Sequence, residues 1–128
     1  MPEPVLLPAG RVPPAWGCAR TRLLRGATVV ELYGEIDLET AAAVRLPLDA
    51  ATERGVHLVV DMRAVVFFDG TALILLHRTH HQVRERGGEL SIVCARPWHG
   101  RVLALGGLTV LVPLFATLQQ ALDRDGLR

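Results

Sequence analysis

Val56-His57-Leu58-Val59-Val60-Asp61-Met62, followed by Val65-Val66-Phe67-Phe68-Asp69-Gly70-Thr71-Ala72, is the stretch on which the fold turns. His57 to Met62 is an almost unbroken apolar run, the mark of a strand buried on both faces. Asp69 stands just before an apolar-periodic segment, where a short side chain can cap a helix. The residues after it present unpaired backbone N–H groups at the positive end of a helix dipole. A hydroxyl there is well placed to be exposed, modified and read by a partner. The plainer reading of Asp69 is an ordinary N-cap. A strand that runs into a capped helix is one step of an α/β chain.

The pattern extends in both directions. From Thr71 to Arg86, Ala72, Leu76, Thr79 and Val83 face one way and Arg78, His81 and Glu85 another, with Gly87 placed as a stop. Upstream, Ala19–Leu24 and Ala27–Tyr33 read as strands joined by an Arg25-Gly26 turn. Asp37 or Thr40 can cap a first helix, whose Ala41, Val44, Leu48 and Ala51 share one face and which Gly55 ends. Pro47 lies inside that helix, and the loss of one backbone bond should kink or split it. Downstream come a strand at Glu89–Cys94, a short helix at Trp98–Leu105, a strand at Thr109–Val112 and a closing helix at Thr117–Asp123. The expected fold is α/β, a single domain with a mixed central sheet and about four helices.

Five of the eight prolines fall in residues 1–14. Residues 1–15 are therefore expected to be a flexible proline-rich extension, and residues 16–128 the domain, starting near Trp16. Apolar residues make up 50% of the chain but aromatic ones only 5%, so the core must be aliphatic. Fourteen basic and thirteen acidic residues are well mixed, with no basic run to hold nucleic acid. Cys18 and Cys94 form no metal or redox motif, and the start lacks the layout of a signal peptide, which points to the cytoplasm. Val102 to Leu122 carries no charge and is long enough to span a bilayer. Gly106-Gly107, Pro113 and four polar residues break it, so it reads better as helix end, buried strand and final helix, with no membrane contact.

Gly34-Glu35-Ile36-Asp37, Phe67-Phe68-Asp69, Gly87-Gly88-Glu89-Leu90 and Leu118-Gln119-Gln120-Ala121, in this order and spacing, resemble the STAS domain. The stand-alone bacterial branch of anti-sigma factor antagonists is the nearer likeness, over about residues 19–123. The resemblance implies a protein-interaction module that binds an anti-sigma factor of the ATPase-kinase type and so frees a sigma factor. In that family the Asp before the second helix is followed by Ser, then Ser or Thr, then Gly, and the first Ser is phosphorylated by the anti-sigma factor. Here Asp69 and Thr71 match, Gly70 stands at the acceptor position and Ala72 replaces the Gly. The usual switch is thus lost at residue 70. Thr71 is a candidate phosphosite, against the plainer reading of a structural hydroxyl in the first turn. Asp37 is implied as a contact with the kinase, with a cap or turn role as its plain alternative. Asp37, Asp69, Gly70, Thr71 and Leu73 form the expected partner surface.

Other clusters point nowhere so definite. His77 and His81 share a helix face, but no carboxylate supplies a third ligand or a base; surface histidines are the plainer reading. Asp61 and Arg63 should flank the following loop as a solvated charge pair. Phe67, Phe68, Leu73 and Leu75 cannot all be internal, and those left outside would serve a protein partner. No nucleophile elbow, phosphate loop or metal set appears, so neither an enzyme nor a cofactor is expected. The alternative is a STAS sensor or a subunit of a signalling assembly that binds a nucleotide or small anion at the second helix start and the Asp37 loop.

Overall fold

The computed structural model describes residues 18–54 and 57–126. The expected extension, the start near Trp16 and the Gly55 stop lie outside them. β1 (Cys18–Leu24) and β2 (Ala27–Ile36) form an antiparallel hairpin. Arg25 and Gly26 between them both have left-handed φ, 52° and 83°. A two-residue turn of that hand follows the twist of the strands it joins. α1 (Ala41–Thr52) leads to β3 (Leu58–Phe68), α2 (Gly70–Glu85) and β4 (Leu90–Val93). α3 (Pro97–Leu105), β5 (Leu114–Phe115) and α4 (Leu118–Gly126) follow. The five strands lie in the order β1-β2-β3-β4-β5, parallel from β2 onward. The expected mixed sheet with four helices is what forms.

Strand alternation sends side chains to two separate cores. Val30, Leu32, Leu58, Val60 and Met62 meet Val44, Leu48, Leu76, Val83 and Leu103 of the first three helices. Val29, Val59 and Val93 meet Ala121 and Leu122 of α4 on the other face. All four residues expected on the inner face of α2 are buried, as are Val44, Leu48 and Ala51 of α1. Gly87, at φ 80°, ends α2 with two bonds that satisfy its last carbonyls, Gly88 N–H to Val83 O and Gly87 N–H to Arg84 O.

Three local expectations are corrected. β3 does not stop at Met62 but runs on to Phe68, so Asp61 and Arg63 lie in a strand and not beside a loop. Two register shifts against β2 let its β-branched and aromatic second half stay paired. Pro47 does not split α1, which is one helix. The carbonyl that loses its donor belongs to Ala43, an exposed residue, so water can satisfy it. Thr109–Val112 is no strand: Gly107, at φ 80°, turns the chain, and Leu108–Val110 is a 3₁₀ turn. Leu111 and Val112 donate back to the Leu108 carbonyl, and pairing with β4 begins only at Pro113. Among the described residues, no helix is long and apolar enough to cross a membrane.

Candidate partner-binding site

One backbone bond builds the site. The Asp69 N–H donates to the Ile36 carbonyl at 3.2 Å and so ties the end of β3 to the end of β2. The loop after β2 and the start of α2 are thereby held side by side. Asp69 is the N-cap of α2, its Oδ1 accepting from the Thr71 N–H at 2.8 Å. Gly70 begins the helix and is exposed, Thr71 is half-buried, and Ala72 faces the core.

Asp37 shapes the neighbouring loop. Its Oδ1 accepts from the N–H groups of Glu39 (3.0 Å) and Thr40 (3.2 Å). Thr40 holds the N-cap position of α1, yet its hydroxyl makes no cap bond. It reaches back to the Glu35 carbonyl at 2.9 Å and accepts the Asp37 N–H at 3.0 Å. Asp37 and Asp69 therefore play structural roles and still stand on the same face.

Leu73 sits differently from the other four. It is half-buried against the larger core, and a Cβ added to Gly106 would lie 2.9 Å from its Cδ atoms. A larger residue there would require the end of the Leu73 side chain to move. Ile74, one position on, is 70% exposed and follows Gly70 at i+4 on the same helical stripe. The helical period alone could have brought out Ile74. Of the four apolar residues in question, Phe68 and Leu75 are buried, Phe67 is exposed and Leu73 lies between.

Asp61 is not solvated, which corrects the expectation of a surface pair. It is 4% exposed and forms two bonds to the Arg63 guanidinium, Oδ1 to Nε at 3.0 Å and Oδ2 to Nη2 at 2.7 Å. Glu31 lies beside it in register and is neutralised by Arg20 and Arg22 at 2.7 and 2.9 Å. The Asp61 hydrogen bond raises the Arg63 pKa further. This network lies well before the end of β3 and does not join the Asp69 surface.

The histidines also have particular places. His77 Nε2 is 2.7 Å from the Gly106 carbonyl, which ties α2 to the end of α3. His81 is exposed, but His77 and His80 are half-buried, so only one of the three is a plain surface histidine. Among the described residues, no group of three or more potential ligands is placed to hold a metal ion. His57 and Ser91 form a buried contact at 2.8 Å away from the site.

His99, which sequence reasoning missed, lies directly beneath the surface. It is 6% exposed and its ring meets Phe68 edge-on, centroids 5.0 Å apart. Burial lowers its pKa; the Val66 carbonyl opposes that shift and Arg96 adds to it. His80 is lowered too, chiefly by burial and then by His81, Arg84 and His77. The unfolded chain takes up these protons near pH 6.5, the folded chain only below that. The unfolded state then holds more protons, so stability should fall as pH drops through about 6.5. Urea midpoints at pH 7.5 and 5.5 should show the fall, and His99→Gln should reduce it. Equal midpoints for the wild type would exclude a neutral buried His99.

Residues 19–121, from β1 into α4, match the STAS domain. The chain belongs to the STAS domain family. This STAS domain is similar to the anti-sigma F factor antagonist of Paenibacillus polymyxa, 29% identical over 71% of this chain and 80% of the relative. The anti-sigma-F factor antagonist RsfB of Mycobacterium tuberculosis is 32% identical over 76% of this chain and 80% of its own. Among solved structures, an anti-sigma factor antagonist from Mycobacterium paratuberculosis superposes with a TM-score of 0.79 at 29% identity, covering 89% of this STAS domain and 97% of that chain.

Proposed function

We propose that this STAS domain is an anti-sigma factor antagonist. It binds an anti-sigma factor of the ATPase-kinase type in the cytoplasm and so frees a sigma factor for transcription. It works by competition between partners, without catalysis. Asp37, Asp69, Gly70, Thr71 and the exposed part of Leu73 form the contact, with Ile74 beside them. The observation that carries this reading is the Asp69–Ile36 backbone bond, which makes one surface of two loops distant in sequence. The names of its relatives support the same role. A phosphate at residue 70 would set a strongly hydrated group of charge about −1.5 to −2 within the contact. Gly70 cannot carry it, so this antagonist stays in its binding form.

The test is titration calorimetry of the purified protein against each ATPase-kinase anti-sigma factor encoded in its native genome. One of them should bind without any added small molecule. Asp69→Asn keeps a capping side chain but removes a charge, and it should weaken that complex at least about tenfold. Arg84→Glu, at the far end of α2, should change it by less than about twofold. Equal losses from both would mean non-specific charge dependence and sink the mapping.

A further inference from the structure

Three large apolar side chains lie exposed beside the Asp69 surface, and folding does not account for them: Val66 (58%), Phe67 (52%) and Trp98 (65%). Their positions are set by built features. Gly34 pairs with Val65 and Glu35 with Phe67, so Val66 is an extra residue in β3. A bulge of this kind bends a strand and re-aims its side chains. Beyond it the chain returns to register, with Phe68 opposite Ile36 and buried. His99 meets Phe68 edge-on and faces the Val66 carbonyl, which fixes the first turn of α3 against the end of β3. Trp98 stands on this same first turn of α3, one residue before His99.

The charges around this patch are sorted by side. Glu35, Asp37, Glu39 and Asp69 stand along the ends of β2 and β3, and none forms an ion pair with another described residue. Arg96 and Arg101, on the α3 side, are both exposed. Carboxylates outnumber guanidinium groups. An anionic lipid surface would thus meet net repulsion, and a second copy would bring the same excess of carboxylates. A protein with an apolar pocket and a mainly basic rim would meet attraction.

We infer that Val66, Phe67 and Trp98 are the anchor of the partner contact, inserted into an apolar pocket of the anti-sigma factor whose rim is rich in Lys and Arg. This rests on the antagonist reading and adds to it a surface outside α2. Aromatic anchors fixed in place before binding are where interface energy concentrates, because little side-chain entropy is lost. The Asp37–Asp69 side then orients the partner, and the patch holds it.

The experiment measures Kd for the anti-sigma factor that binds the wild type. Trp98→Ala and Phe67→Ser should each weaken binding by about 30-fold or more. Leu105→Ala and Val110→Ala, at residues 83% and 85% exposed outside the patch, should stay within about twofold. Urea midpoints should show all four variants folded. Wild-type affinity in both patch variants would overturn the anchor and leave the antagonist reading standing. Failure of the wild type to bind any of the native kinases would overturn both. A wild-type dimer that Trp98→Ala disperses would assign the patch to a second copy and overturn the inference.

Discussion

Gly70→Ser should turn a protein that takes up no phosphate at residue 70 into one that takes up close to one per chain. The reaction is incubation with ATP and the cognate anti-sigma kinase, read by intact-mass spectrometry. Gly70 is the first residue of α2, exposed, and a Cβ added to it meets nothing within 4 Å. A serine therefore fits without moving a neighbour. The Asp69 cap bonds the Thr71 N–H, a contact that residue 70 does not share. Stability should hold or rise by a few tenths of a kcal/mol, since Gly is the poorer helix former. Thr71 already carries a hydroxyl, but one residue of helix rotates it by about 100° and advances it about 1.5 Å. In-line transfer requires the acceptor oxygen aligned with the γ-phosphoryl group, and an ångström of misplacement costs about a hundredfold. Phosphorylated Gly70→Ser should then bind its partner at least about tenfold more weakly than the unmodified variant. Stoichiometric phosphate on the wild type at Thr71 would refute the unswitchable antagonist and restore a conventional phospho-regulated one.

Which parts could be read from the chain follows from how local each determinant is. The Asp69 cap and the Gly87 stop involve partners within five residues, and both were legible. The inner face of α2 was legible because helical period and burial agree. β3 was legible only as far as Met62. Asp61 and Arg63 look like the start of a solvent-facing loop because the pair itself is local, whereas the strand that pairs beside Asp61 and extends the sheet there, β2, is remote in sequence. Thr109–Val112 has the β-branched content of a strand, but a left-handed Gly107 and the local bonds to Leu108 decide otherwise. At the site, the Asp69–Ile36 bond sets the start of α2 beside the loop that holds Asp37. Leu73 is partly buried against the larger core, and its tip lies beside Gly106, more than thirty residues away. His99 carries no local signal, since its neighbours Val66 and Phe68 belong to β3, some thirty residues earlier.

Two residues of one helix should separate stability from binding. Leu76 is 1% exposed and packs between α2 and the sheet. With Leu32, Ile36, Val44, Leu48, Met62, Ala72 and Leu75 it lines a void of about 10 Å³, about the least that a water occupies, and its lining is apolar. Leu76→Ala removes a buried isobutyl group and widens a space that already exists. Its neighbours are themselves anchored in β2, β3 and α1, so collapse to fill the gap is restricted. The expected cost is about 3–5 kcal/mol, which for a domain of this size lowers Tm by more than about 10 °C. Ile74→Ala, at a 70% exposed position two residues earlier, should change stability by less than about 0.5 kcal/mol. Their binding should rank the other way. At a temperature where both are folded, Leu76→Ala should keep the wild-type Kd for the anti-sigma factor, whereas Ile74→Ala should lose at least about fivefold. A Leu76→Ala protein less than 1 kcal/mol below wild type would mean that the core relaxes into the gap. An Ile74→Ala protein with full affinity would confine the contact to the loops and the α3 side, away from the outer stripe of α2.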